Sequence, residues 1–212
     1  MKLKYIISFI LIILLTDTAL AQKKKKKDEM DPQALAKAAL KEELSGYKKL
    51  CRAALSPYRY DGVKTTQFNY KLYEYIKEVE IATIQNAEYR LSYNTNGIHH
   101  DKIQIKIYDR PDTDKRRVLL YEQAEVGGNE FSFETTEMVE KLKQVKLNKG
   151  IDSAIVDQMR LKKIFIDYII PAVDRKTEVN EFGEDIIVKL KGAVILCVGY
   201  IIFNPFFQST VF

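Results

Sequence analysis

The hydrophobic positions of this chain change period several times, and each period predicts a different element. Between Asp31 and Pro57, apolar residues recur at spacings of three and four on a segment otherwise rich in Lys and Glu. Asp31-Pro32 has residue types favoured at the N-cap and the first helical position, and Ser56-Pro57 marks an end. The pattern predicts an N-terminal helix over 31–57 with one apolar stripe, formed by Leu40, Leu44, Tyr47, Cys51 and Leu55.

From Val63 the apolar positions alternate with polar ones, which is the period of a half-buried strand. Turn-rich pieces at 94–97, 109–115 and 127–129 separate several of these short segments. Because the segments follow one another closely without intervening helices, we expect antiparallel pairing in a sandwich or barrel. The predicted strands lie within residues 63–75, 77–84, 87–93, 102–108, 117–123 and 130–135.

The pattern then becomes helical over 136–160, where Gly150 occupies a C-cap position and Asp152 or Ser153 would cap a second short helix. Strand character returns in LKKIFIDYIIPAV, with alternate apolar residues from Ile164 to Ile170 on one face. In the last segment, the even positions from Ile186 to Ile202 stay apolar, while the odd ones change from Lys to apolar residues. This favours a strand buried on both faces past Gly192, or a bulge or hairpin at that glycine.

Together these patterns predict a mainly β domain, an antiparallel β-sandwich of jelly-roll-like type, over residues 58–212. It would have eight or nine strands and carry the N-terminal helix and a helical insert around 136–160. A transmembrane helix near the C-terminus is the alternative. The apolar run 193–203 is too short for one, since a span needs about 20 residues.

The first residues, MKLKYIISFILIILLTDTALAQ, have the three parts of a secretory signal peptide, with cleavage expected after Ala21. The leader resembles those of Gram-negative envelope proteins. An uncleaved N-terminal anchor is the alternative. Five consecutive lysines follow within a predicted disordered tail, residues 22–30. The sequence therefore predicts an exported protein that is periplasmic or envelope-associated.

The basic charge of the chain is concentrated in that tail. The chain has 34 basic and 29 acidic residues. Removal of residues 1–21 takes away two basic residues and one acidic residue. Without the five tail lysines, the remaining body has a slight excess of acidic residues. We therefore expect no nucleic-acid partner, because such proteins carry basic residues over a folded face. The tail is expected to make weak contact with an anionic membrane surface, or else to act only as a solubilising segment, through Lys23, Lys24, Lys25, Lys26 and Lys27.

Tyrosines are concentrated in one stretch of the sequence. Tyrosine offers a broad, rigid apolar surface with a polar tip, which suits sugars and protein partners, although it is also a good strand former. The candidate binding residues are Tyr58, Tyr60, Tyr70, Tyr73 and Tyr75.

Two further groups carry candidate chemistry. Cys51 and Cys197 would form one disulfide in an oxidising compartment, or remain buried thiols. The loop 109–115 holds three carboxylates, Asp109, Asp112 and Asp114, which suggest a Ca²⁺ site or a solvated hairpin tip. The adjacent His99 and His100 would point to opposite faces of an extended segment, which does not suit a shared metal.

No catalytic constellation is recognisable, and no cofactor other than Ca²⁺ is suggested. The sequence favours a non-enzymatic binding protein that recognises an envelope protein or glycan. Two alternatives remain: a hydrolase of envelope polymers that uses paired carboxylates, and a membrane-associated envelope component.

Overall fold

A computed structural model describes residues 32–84, 86–179 and 182–202 of the chain. The protein is mainly β with antiparallel sheets, which confirms the coarse fold class predicted from the pattern. The described elements, in chain order, are α1 (Pro32–Ala53), β1 (Arg59–Asn69), β2 (Tyr75–Ala82), β3 (Ala87–Asn94), β4 (Ile103–Tyr108), β5 (Leu119–Val126), β6 (Glu130–Glu134), α2 (Thr136–Asn148), α3 (Ser153–Asp157), β7 (Lys163–Ile170), β8 (Lys176–Val179), β9 (Asp185–Val188) and β10 (Lys191–Ile202).

Eight of these strands form two four-stranded sheets. The first sheet has the order β1-β10-β3-β6 and the second has the order β2-β7-β4-β5. Within the part of the chain that the structure describes, strands β8 and β9 pair only with each other, as a separate hairpin. Consecutive strands β1 and β2 are thus edge strands of different sheets, which decides where the tyrosines between them lie.

The main core draws buried side chains from both sheets and from α2. On β7, the alternate residues from Ile164 to Ile170 are all fully buried, as their spacing predicts. On α2, Met138 and Leu142 are buried one helical turn apart and pack into the same core.

Strand β10 is buried on both faces. Its even residues, such as Val194 and Leu196, enter the main core, whereas its odd residues Ala193, Ile195 and Cys197 form a second apolar cluster with residues of α1. The burial past Gly192 that the sequence indicates is therefore observed, and the apolar run is a strand in the middle of a sheet. Within the described ranges, no helix is long and apolar enough to cross a membrane.

The long C-terminal strand was predicted wrongly in one respect. Residues 186–188 do not continue into β10; they belong to β9 and pair with β8, which the sequence analysis did not identify. The break falls before Lys191, at Lys189-Leu190, and the NEFGED segment that joins β8 to β9 contains Gly183 at φ +79°. Glycine adopts a positive φ easily, so Gly183 was the residue in the sequence that indicated a hairpin turn here.

The helices lie close to their predicted positions. Helix α1 ends at Ala53 and is followed by a turn, a few residues before the predicted end. Gly150 follows the C-cap of α2 with φ +77° and donates its backbone N–H to Leu147 O, while the Asp152 side chain accepts from Ala154 N and caps α3.

The chain divides into two units, residues 1–43 and residues 44–212. In the first unit the structure describes only the start of α1, where residues 34–42 are exposed, including Leu40 of the predicted stripe. In the second unit Leu44, Cys51 and Leu55 of that stripe are buried. The predicted signal peptide and lysine tail lie outside the described residues.

Candidate functional site

The connection between β1 and β2 forms an exposed surface that combines aromatic, aliphatic and basic side chains. Leu72 is 54% exposed and Tyr73 59%. Side chains of this size are seldom left in water together, so an exposed group of them indicates an interaction site. We call this group the Tyr–Lys surface; it consists of Lys71, Leu72, Tyr73 and Tyr75.

Lys71 orders the aromatic rings of this surface. Its Nζ lies 4.2 Å from the centre of the Tyr75 ring and 5.1 Å from that of Tyr73, and 3.2 Å from the Tyr73 hydroxyl. The two rings meet edge to face, with centroids 6.3 Å apart. Each cation–π contact at an exposed site is worth about 0.5–1 kcal/mol, which is enough to restrict the ring rotamers.

The backbone beneath this surface is held in place. Val173 N donates to Lys71 O at 2.8 Å, and the Tyr75 hydroxyl donates to Asn69 O at 2.7 Å. Lys71 also forms an isolated parallel bridge with Ala172. The surface is thus a preformed platform that offers an ammonium group beside two aromatic rings, suited to carboxylates, sugars or aromatic side chains.

Tyr70 has a structural role beside this platform. Its hydroxyl donates to Asp101 O, and its ring packs edge-on against Phe68 and His100, at centroid distances of 5.4 and 5.8 Å. Burial is the main cause that raises the pKa of Tyr70 to about 12. This side chain therefore anchors the loop that carries the two histidines to the end of β1.

Tyr58 and Tyr60 lie at the other end of β1, about 30 Å away along an eleven-residue strand. The Arg90 guanidinium stacks over the Tyr58 ring at 4.6 Å, and Arg52 stacks over Tyr60 at 4.3 Å. Burial raises the pKa of Tyr58 to about 12. The five predicted tyrosines thus form two groups, and the structure does not bring them together in one site.

Two of the three aspartates of the loop 109–115, Asp109 and Asp114, have carboxylates engaged by backbone amides and arginines. Asp114 accepts hydrogen bonds from Arg110 and Arg116 at 2.9–3.1 Å, and these bonds hold its pKa well below the usual range. Asp109 accepts from Val118 N at 2.6 Å. In the described part of the chain, no group of three or more acidic, His or Cys side chains is arranged to hold a metal ion. The geometry therefore gives the Ca²⁺ hypothesis no support.

A buried ion pair under the same loop was missed by the sequence analysis. Asp167 of β7 is 1% exposed, and its Oδ2 lies 2.7 Å from Nη1 of Arg117, whose guanidinium stacks over Tyr108 at 3.8 Å. Glu78 lies opposite Asp167 in the β2–β7 ladder, accepts from Asp112 N at 2.8 Å, and has its pKa raised by burial. The signal was Asp167 itself, a lone acid inside the apolar run IFIDYII.

A small cleft lies between the β2–β3 connection, the start of α2 and the segment after α3. It encloses about 230 Å³ and is lined partly by Glu88, Glu140, Lys143 and Arg160. Glu88 accepts from Thr136 Oγ1 at 2.7 Å, and Glu140 pairs with Lys143 at 3.1 Å. The volume is below the usual 300–1,000 Å³ of small-molecule pockets, and the acids that line it are already paired with neighbours.

The β8–β9 hairpin is a second exposed apolar region. Most of its residues are exposed on both faces, and Phe182 in its turn is 79% exposed. A two-stranded hairpin on its own is only marginally stable in water, so these side chains gain little from the hairpin itself. The other exposed apolar residues of this region are Val179, Ile186 and Ile187.

Comparison with known proteins assigns no family. No protein-family model matches the chain, and no match was found among curated proteins or among solved structures. Any functional assignment therefore rests on the residues described above.

Proposed function

We propose that this protein is an exported binding protein of the cell envelope, located in the periplasm or associated with the envelope, that recognises a protein or glycan partner. The observation that carries the proposal is the Tyr–Lys surface, where Leu72 and Tyr73 are exposed and Lys71 lies against the Tyr73 and Tyr75 rings. Aromatic side chains supply most of the energy at many protein interfaces. Rings that are already ordered lose little rotamer freedom on binding, so more of the contact energy becomes affinity.

The proposed scaffold for this surface is a jelly-roll-like β-sandwich, in which the two four-stranded sheets pack face to face. This arrangement is supported by the main core, which contains Leu91 and Leu196 from the first sheet together with Ile105 and Ile166 from the second. Since β1 and β2 are edge strands of different sheets, the β1–β2 connection would join the two layers at their rim. A rim position leaves the surface open to a large partner.

The compartment is part of the proposal and rests on the leader and the lysine tail of the sequence. In the envelope, the tail would add weak contact with anionic headgroups, about 1 kcal/mol per lysine close to a membrane surface. That attraction would hold the protein near the membrane reversibly, while the Tyr–Lys surface would supply specificity.

The alternative hydrolase is supported less well. Glu78 and Asp167 face each other across a strand pair, as two catalytic carboxylates could. However, Asp167 is 1% exposed and paired with Arg117, and the half-buried Glu78 accepts a hydrogen bond from Asp112 N, so both acids are already engaged. Binding without catalysis is therefore the function that we propose.

The test compares two doubly substituted proteins. Leu72→Ser/Tyr73→Ser removes the apolar part of the Tyr–Lys surface, and Leu147→Ser/Ile155→Ser removes a similar exposed area on α2 and α3. Each exported chain would be immobilised and exposed to envelope extract, to isolated cell-wall glycan and to a glycan array. We expect the first variant to lose about tenfold or more in apparent affinity and the control to bind as wild type.

Circular dichroism and the unfolding midpoint establish that both variants are folded. Equal binding by all three proteins would contradict the role of the Tyr–Lys surface. Recovery of the native protein in the cytoplasm with Met1 still attached would contradict the proposed compartment.

A further inference from the structure

The two cysteines of the chain lie in the same small apolar cluster. Cys51 is on the last turn of α1, Cys197 is on β10, and both are free thiols that are almost completely buried. Leu44 and Leu55 from the helical side and Ile195 from the strand pack around them. The cysteines are far apart in sequence, so their proximity is produced by the packing of α1 on the outer face of the first sheet.

The geometry at Cys51 places its thiol directly over the β3–β10 ladder. Its Sγ lies 3.0 Å from Ser92 O and 3.7 Å from Ile195 O. Ser92 is the residue opposite Cys197 in that ladder, and Ile195 is two residues before it on the same strand. On the other side of the cluster, Cys197 Sγ lies 3.9 Å from Lys48 O of α1.

The two sulfur atoms have different acidities in this cluster. The neighbouring Cys197 thiol is the main cause that lowers the pKa of Cys51, whereas the Cys51 thiol, followed by burial, raises the pKa of Cys197. A thiolate is the nucleophile in thiol–disulfide exchange, so in the packed protein Cys51 is the cysteine whose reactive form is reached more readily.

We propose that Cys51 and Cys197 form an intramolecular disulfide that joins α1 to the central strand of the first sheet. The oxidant is a disulfide of an exchange partner, either a dithiol protein or a small disulfide such as oxidised glutathione. The Cys51 thiolate attacks one sulfur of that disulfide and releases the other as a thiolate. Cys197 then loses its proton and attacks Sγ of Cys51, which releases the second thiolate of the oxidant.

The electron balance of the reaction is simple. The protein loses two protons and two electrons, and the disulfide of the oxidant becomes two thiols. Because both cysteines are buried in the folded chain, exchange takes place before α1 has packed on the sheet. In an exported protein this is the period of folding after translocation, in a compartment that favours disulfides.

The expected consequence is a more stable attachment of α1. A bridge between these positions closes most of the folded chain into one loop, and long loops are stabilised most in the chain-entropy model. For a chain of this size, we expect the midpoint of thermal unfolding to lie roughly 5–15 °C higher in the oxidised protein than in the reduced one.

The test uses the purified exported chain, which is reduced and unfolded, refolded and equilibrated in a glutathione redox buffer, quenched with acid, unfolded again and treated with a maleimide reagent. We expect no label, a monomeric species, and an intact mass about 2 Da below that of the dithiol, since two hydrogen atoms are lost. Reductant should lower the unfolding midpoint of wild type by the range given above. In Cys51→Ser and Cys197→Ser, one thiol should be labelled and reductant should leave the midpoint unchanged.

The proposal is overturned if wild type keeps two labelled thiols after equilibration, if it carries only bound glutathione, or if reductant does not change its unfolding midpoint. The wild-type measurements decide the question even if a cysteine variant fails to fold. They are made on the isolated protein, so their outcome is independent of whether the proposed binding partner exists.

Discussion

The ion pair between Arg117 and Asp167 allows a quantitative prediction about stability. Asp167 is 1% exposed on β7, while the Arg117 side chain is 22% exposed and reaches it from the loop that precedes β5. The Oδ1 atom of Asp167 has no hydrogen-bond partner among the described residues, so Arg117 is the main compensation for the buried charge. The two residues should therefore respond unequally to substitution.

Arg117→Met keeps much of the side-chain volume over Tyr108 but leaves an uncompensated charge inside the protein. Breaking a buried pair in this way costs about 3–5 kcal/mol in the free energy of unfolding, which corresponds to a fall of roughly 6–20 °C in the midpoint for a domain of this size. Asp167→Leu should cost less than about 1.5 kcal/mol, because the partly exposed guanidinium can turn towards water. The double variant should lie within about 1 kcal/mol of wild type.

Urea unfolding of the four proteins at neutral pH, followed by circular dichroism, gives the complete double-mutant cycle. The coupling energy between the two substitutions should be about 2 kcal/mol or more. The reasoning is refuted if Arg117→Met costs less than about 1 kcal/mol. It is also refuted if the two single variants are equally destabilised, since the asymmetry follows directly from the difference in burial.

Two further predictions concern packing and pH. Gly192→Ala should destabilise the protein by about 1–3 kcal/mol in urea unfolding, because a Cβ would lie 2.5 Å from the Phe68 ring. Gly46→Ala in α1, which has open space around it, should stabilise the protein by about 0.5–1 kcal/mol. The opposite order of stabilities would contradict the packing. The pKa of Tyr70 is raised to about 12 in the folded protein. Its contribution to the free energy of unfolding is therefore complete below the ordinary tyrosine pKa near 10 and is lost as the pH rises towards 12. Tyr70→Phe should therefore show a shallower loss of stability between about pH 10 and 12, and an unchanged slope would show that Tyr70 does not contribute.

Local patterns predicted most strands because one face of each strand is apolar. Strand β7 shows this directly, since the predicted face of alternate residues from Ile164 to Ile170 is fully buried, although its other face is largely covered as well. The limits of α2 and α3 were also predictable, because Gly150 and Asp152 are residues with specific capping geometry. These features depend on the nearest few residues of the chain.

The tyrosine group shows where local reasoning fails. Tyr58 and Tyr75 are close in sequence, yet the chain between them runs the length of β1 and then enters a different sheet. Sequence proximity grouped these tyrosines only as candidate binding residues, whereas the structure has two groups separated by the length of a strand. The position of Lys71 between Tyr73 and Tyr75 follows from the turn geometry, which the alternating pattern does not specify.

Three residues show why the strand pattern did not predict the surroundings of every side chain. Cys197, Asp167 and Ile187 each lie on a strand with an apolar pattern, but α1 covers Cys197, Arg117 covers Asp167, and Ile187 is left exposed. The period of a strand determines which side chains share a face, but it carries no information about which distant segment packs on that face. The covering segments lie far along the chain from Cys197 and Asp167, so the redox pair and the buried ion pair become visible only when the sheets are assembled. The same argument explains why Ile187 could not be distinguished from a core residue, and why its exposure on the β8–β9 hairpin is new information about the surface.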